Sequence, residues 1–346
     1  MKKLLCLFLA LLMFPCARAE DASAPVDALS SDEIHSAVEA LFLAAAGVKE
    51  WDELTLWKSL SAAEQASRGE ENAAYRALTF PFLTAAFASE DTYAAAAADE
   101  FAVTLADSYA ALQGNAFGQA YLALLAPLGA TDAESALAVT RAILQRWMDE
   151  IDHEKLTGIN ADYRCWIYAP DTPIDYPVVQ CGNNTYYLDR MFNRKSNPAG
   201  TLFMDHRNLP DFADPNTLIY GHHMRDGSMF ESLTDYDGPG YFEAHPFMVI
   251  IREDAVYLVE VFSAYVTDSK DPCYDIALSD EEDMLAFVTH ALDKSDFDAH
   301  VEIDAAADHL VTLSTCTYVF DNARYVVIGR LTELPVIQPD AAGLPE

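Results

Sequence analysis

Thr312-Leu313-Ser314-Thr315-Cys316 is a β-type run that ends in a cysteine, and Arg324 heads the next apolar run, Tyr325-Val326-Val327-Ile328-Gly329-Arg330-Leu331. Two such runs joined by a short polar segment read as neighbouring strands. A cysteine and an arginine placed this way can point into one groove. A third run, Asn216-Thr217-Leu218-Ile219-Tyr220, passes directly into Gly221-His222-His223-Met224. Nucleophilic cysteine chemistry needs a thiolate and a group that handles the proton of the leaving amine. An ordinary thiol, with a pKa near ~8.5, is mostly protonated at neutral pH. Histidine supplies proton transfer, and arginine, cationic throughout, can face a developing oxyanion. On spacing alone a second reading stands beside this one: Cys316 as a small core residue and Arg324 as a strand-edge charge.

Working outward, further short β-type runs occupy Cys165 to Ala169, Tyr176 to Gln180, Phe247 to Arg252 and Val256 to Val266. Polar turns separate them, which suggests a closed barrel or a sandwich. One helix interrupts the series. Ser279-Asp280-Glu281-Glu282 reads as its capping box, and Met284, Leu285, Phe287, Val288, Ala291 and Leu292 as its apolar face. Residues 20–152 differ in character, being rich in Ala, Leu and Glu and poor in glycine. Capping-box patterns at Ser30 with Glu33, Ser61 with Glu64 and Thr131 with Glu134 mark helix starts. Apolar residues recur at helical spacing in Leu41, Ala44, Ala45, Val48 and in Leu137, Thr140, Ile143, Leu144, Trp147. The expectation is a bundle of five or six helices, interrupted at Pro81 and across Gly114 to Gly118, that carries no chemistry.

Of the 346 residues 51% are hydrophobic, enough to bury a core and to exclude wholesale disorder. With 21 Lys and Arg against 55 Asp and Glu, the formal net charge is −34. Such a chain is a poor partner for nucleic acid or anionic lipid, both of which are held by clustered cations. Met1-Lys2-Lys3, the apolar run Leu4 to Phe14 and the small residues before Glu20 form the pattern of a secretory signal peptide. Retention of that segment as a short membrane anchor is the other reading. Beyond it the cysteines are Cys165, Cys181, Cys273 and Cys316, with no zinc-type spacing.

The second half resembles the sortases, most closely those of class B. The resemblance runs in order through Asn160 to Ile167, Ile174 to Gln180, Asn184-Thr185-Tyr186-Tyr187-Leu188, Gly200 to Asp205, the block Asn216 to Phe230, and Thr312 to Leu331. It implies an α+β fold: a closed β-barrel of about eight strands with added helices, here preceded by an all-α region. The segments expected are 1–19 as signal peptide, 20–152 as helical extension, 153–335 as catalytic domain and 336–346 as tail. It implies Cys316 as nucleophile, His222 as acid/base and Arg324 as stabiliser of the oxyanion or substrate. The reaction implied is transpeptidation. A sorting motif of the L-P-x-T-G or N-P-x-T-N type, near the C-terminus of a surface protein, is cleaved after Thr through a thioester. An amine of a peptidoglycan precursor or of a pilin-type subunit then resolves it. The chemistry needs no metal or other cofactor. Ser314, Thr315, Asn184 and Tyr274 match positions that shape the substrate groove, and each also has an ordinary structural reading. His223 and His245-Pro246 read as structural.

The chain also departs from the family. Cys165 stands where glycine is frequent, and Cys181 follows the next strand, so a fold-back around Asp171 to Ile174 would allow a disulfide between them. The helical half has no counterpart in a minimal class B enzyme. Three other readings stay open: a secreted cysteine hydrolase with the same residues, a non-catalytic surface module, and metal binding by His222, His223 and Asp226.

Overall fold

The computed structural model describes residues 23–47, 57, 59–88, 101–317, 319 and 321–334. The signal segment, Val48 and the tail lie outside them. The described residues divide into two compact units: those within 23–47, 71–88 and 101–151, with 334, form one, and those within 57–70 and 152–333 form the other.

The first unit is helical. Its elements are α1 (Ser23–Asp27), α2 (Ser31–Ala46), the greater part of α3 (Ala62–Phe87), α4 (Phe101–Gly114), α5 (Ala116–Leu125) and α6 (Ala133–Asp149). The Ser30/Glu33 capping box starts α2 as expected, and Ser61 and Glu64 exchange the same reciprocal bonds at the head of α3. The expected Thr131/Glu134 box is displaced by one residue. Asp132 caps α6 and pairs with Ser135, because a carboxylate accepts the orphan amides better than a threonine hydroxyl does. Pro81 does not interrupt the bundle but lies inside α3. Phe82 and Leu83 beside it are fully buried, and their packing outweighs the lost backbone bond. Leu137, Thr140, Ile143, Leu144 and Trp147 all face inward on α6. The break after Gly114 is real, with Asn115 capping α5 through Phe117 and Gly118. Among the described residues no single helix is long and apolar enough to cross a membrane.

The second unit is a closed barrel. Its strands are β1 (Tyr163–Tyr168), β2 (Asp175–Val179), β3 (Leu202–Met204), β4 (Asn216–Tyr220), β5 (Phe247–Ile251), β6 (Val256–Thr267), β7 (His309–Cys316) and β8 (Arg324–Leu334). They close in the order β1-β2-β3-β4-β7-β8-β6-β5. The pairs β2–β3 and β4–β7 are parallel. The interior is aliphatic and aromatic, from Ile167 and Val178 through Phe262 to Val326 and Ile328. Gly329 lets β8 approach β6, since a Cβ there would collide with Val259. Two short helices, α7 (His153–Ile159) and α8 (Tyr241–Ala244), flank the barrel.

Helix α9 (Glu281–Lys294) follows β6. Asp280, not Ser279, caps it. Of its expected apolar face, Met284, Phe287, Val288 and Ala291 are buried. Leu285 and Leu292, seven positions apart and so on one stripe, are exposed instead. The disulfide between Cys165 and Cys181 is not formed, for both cysteines are free. Cys165 sits opposite Val178, three residues short of Cys181. It points into the barrel core, whereas Cys181 packs on a separate aromatic cluster with Tyr186 and Phe192.

Candidate active site

The antiparallel register of β7 and β8 sets Ser314 opposite Val326, Thr315 opposite Tyr325 and Cys316 opposite Arg324. The parallel register of β4 and β7 sets Tyr220 beside Ser314. The Gly221 amide then donates to the Ser314 carbonyl at 3.0 Å, so His222 emerges at the end of that ladder. Cys316, Arg324 and His222 line one open groove of about 320 Å³. Asn184, Tyr274, Ser314 and Thr315 line it too. The structure therefore brings every expected site residue together. Sequence reasoning missed Leu188, Phe203, Tyr220, Gly221 and Ser269 as wall residues.

Gly221 is required where it stands. A Cβ there would meet the Phe230 ring at 2.6 and 2.7 Å and collide with Leu202. The next residue, His222, is fixed at both ends. Its carbonyl accepts from the Phe230 amide at 3.0 Å. Its Nε2 lies 2.7 Å from the Leu188 carbonyl. A carbonyl only accepts, so Nε2 carries a proton in this contact, which leaves Nδ1 as the nitrogen that can take up or give one. His223 pairs with Met229 in an isolated bridge and does not line the groove.

The Arg324 guanidinium is held at the groove by the turn before it. Its Nη1 donates to the carbonyls of Ala323 at 3.0 Å and Asn322 at 3.2 Å. Asn322 adopts a left-handed conformation, which folds that carbonyl back. Cys316 differs from the other barrel thiols in its surroundings. Burial pushes the Cys165 thiol up to about 12, and burial, then the nearby Asp271, raises that of Cys273. Both stay protonated and inert. Cys316 is half-buried and faces the groove.

The walls form a connected polar layer. Ser314 and Tyr274 share a hydrogen bond of 2.9 Å between their hydroxyls. The Tyr274 ring stacks on Tyr220, with centroids 6.4 Å apart and 11° between planes. Tyr220 and Asn184 both donate to Oδ2 of Asp205, each at 2.9 Å. Thr315 is buried, with no hydrogen-bond partner for its hydroxyl.

Among the described residues no group of three His, Cys, Asp or Glu side chains is placed to hold a metal ion. Asp226, raised above as a third ligand, is engaged by Ser228. The arrangement that is present suits acyl transfer. It combines a thiol in an open groove, an imidazole with one free nitrogen and a fixed cationic fork.

A family model described as Sortase domain matches residues 167–332. Sortase B of Listeria monocytogenes is 33% identical over 178 residues, which cover 51% of this chain and 72% of that protein. The solved structure of a Staphylococcus aureus sortase B-substrate complex is 32% identical with a TM-score of 0.51, covering 55% of this chain and 91% of that one. A crystal structure of sortase B complexed with triglycine is 32% identical with a TM-score of 0.51, covering 55% and 92%.

Proposed function

The chain belongs to the sortase family, in its class B branch of cysteine transpeptidases, and from that premise we propose that it joins surface proteins carrying a C-terminal sorting signal to an amine acceptor. With its proton passed to Nδ1 of His222, the Cys316 thiolate attacks the Thr carbonyl of an L-P-x-T-G or N-P-x-T-N type motif. Arg324 faces the oxyanion as the tetrahedral centre forms. His222, as imidazolium, gives its proton to the departing amine, and a thioester to Cys316 remains. An incoming amine loses its proton to His222 and attacks the thioester. Cys316 leaves as thiolate, and the cycle closes with no net change in the enzyme.

The single observation that carries this reading is the Cys316–Arg324 pairing across β7 and β8 with His222 in the same groove. The amine acceptor of the reading is a glycine-type amine of a peptidoglycan precursor or a pilin-type amine, in keeping with the triglycine-bound sortase B. The site of action is outside the cytoplasm, at the cell surface, reached through the signal-like segment in residues 1–19.

The test incubates residues 20–346 with peptides of both motif types, with and without triglycine, and identifies products by mass. The reading predicts cleavage after Thr and a new Thr–triglycine amide. Hydrolysis alone, indifferent to triglycine, would favour a cysteine hydrolase. Cleavage of neither motif would sink the assignment of substrate.

A further inference from the structure

Three residues of the groove wall are tied to one buried group that lies outside the groove. Asp205 follows β3, and its side chain is 0% exposed. Its Oδ2 accepts from Asn184 Nδ2 at 2.9 Å and from the Tyr220 hydroxyl at 2.9 Å. Arg207 donates from Nε to Oδ1 and from Nη2 to Oδ2, both at 2.9 Å, and the Arg207 amide also donates to Oδ1. His206 Nδ1 lies 3.5 Å from Oδ1. The same Arg207 Nη2 donates to the Tyr274 carbonyl at 3.4 Å. Asn184 comes from the β2–β3 connection, Tyr220 from the end of β4 and Tyr274 from the β6–β7 connection. Three wall residues from three separate segments thus converge on one carboxylate and its guanidinium partner.

We propose that Asp205 is the positioning residue of the substrate groove, holding Asn184, Tyr220 and, through Arg207, Tyr274 in the register that Cys316 acylation requires. A buried carboxylate is a poor device for stability alone, because desolvation offsets much of the attraction. It is a good device for geometry, because its oxygens accept several donors along fixed directions. Asn184 extends the effect toward the base. Its Oδ1 accepts from the His206 amide at 2.9 Å, and the segment it opens runs to Leu188, whose carbonyl holds His222. Breaking the hub should therefore release both the substrate wall and the anchor of the imidazole.

The experiment compares wild type with Asp205→Asn, which keeps the shape and removes the charge. One arm reads backbone hydrogen exchange without substrate. The expected result is faster exchange at residues 184–188 and 272–275, with β5 and β6 unchanged. The other arm, which rests on the sorting-peptide reading, measures Cys316 acylation by peptide beside Cys316 alkylation by iodoacetamide. Acylation should fall on the order of 10–100-fold, the scale of a slight misplacement, while alkylation, which needs no substrate wall, falls much less. Tyr220→Phe should cost much less in the Asp205→Asn background than in wild type, since it cuts a link already broken. Unchanged exchange at residues 184–188 and 272–275 would overturn the proposal. So would exchange that rises evenly over the barrel with alkylation changing in step, which marks a merely structural role. Should Asp205→Asn not fold, Arg207→Gln and Asn184→Ala are read in the same two arms against the same outcomes. If no peptide acylates wild type, the substrate reading fails, and the exchange arm alone decides the role of Asp205.

Discussion

Gly221→Ala adds one methyl group immediately before His222, at a site where the surroundings leave no room. The new Cβ would stand 2.6 and 2.7 Å from the Phe230 ring and would collide with Leu202. The Leu202 contact is a flexible tip, but the Phe230 contact is near the root of a ring that is 0% exposed in the barrel core. Overpacking a core of native density costs about 1–3 kcal/mol. In a unit of this size each kcal/mol lowers Tm by about 2–4 °C, so the expected fall is about 2–12 °C. The chemical effect should be larger than the thermal one. The Gly221 amide bonds Ser314, and the His222 carbonyl bonds Phe230. A shift that relieves the clash displaces the imidazole from its place in the groove, and acylation should drop by up to about 10²-fold. The assay pairs thermal unfolding with the rate of Cys316 acylation. Phe230→Leu, destabilising alone, should be partly compensatory in the Gly221→Ala background, since it vacates the contested space. A Gly221→Ala protein with the wild-type Tm and rate would refute the argument that this close approach places His222.

Tyr274→Phe removes the hydroxyl that bonds Ser314. It should cost about 1 kcal/mol of stability and, if the lost bond acts fully on the barrier, slow acylation about fivefold. Pre-steady-state acylation checks this, and a wild-type rate would show the bond to be idle. Burial by itself would raise the Asp205 carboxyl, but the bonds from Arg207, Tyr220 and Asn184 prevail and bring it to about 2, below the ordinary 3.8. A depressed carboxyl stabilises the fold above its unfolded value, and that contribution, about 2 kcal/mol, is lost as pH falls from about 4 toward 2. Urea midpoints across that range should therefore drop more steeply in wild type than in Asp205→Asn, and parallel curves would contradict the sign. The native protein should give the same intact mass, apart from cysteine adducts, before and after reduction. Cys181, partly exposed, should alkylate in the folded state, whereas Cys165, fully buried with its thiol pushed up, should alkylate only after denaturation. A loss of reactivity at both sites that reduction restores would reinstate the disulfide.

The chemistry-bearing end of the barrel was legible because its parts are local. A β-run ending at Cys316, a second beginning at Arg324 and a third passing into Gly221-His222 place three groups by strand geometry alone, and the registers agree. The capping boxes at Ser30 and Ser61 were legible for the same reason. What escaped depends on contacts distant in sequence. The short strand β3, parallel to β2 on one side and antiparallel to β4 on the other, brings Phe203 and Asp205 beside Tyr220, and no periodicity announces a three-residue strand. The exposure of Leu285 and Leu292 depends on which face of α9 meets the barrel, which the apolar pattern left too wide. The disulfide expectation failed on register. A bulge between Tyr163 and Cys165 and pairing with Val178 carry the thiol inward. Pro81 was misread as a breaker because propensity is local, while the burial of Phe82 and Leu83 that sustains the helix is not.

The most direct measurement is the intact mass of residues 20–346 after brief incubation with a sorting-motif peptide, for wild type and Cys316→Ala. The account predicts that wild type gains the mass of the peptide up to its Thr, that triglycine clears the adduct and that Cys316→Ala gains nothing. An adduct that persists on Cys316→Ala, or peptide cleavage that survives the substitution, would contradict the assignment of Cys316 as nucleophile.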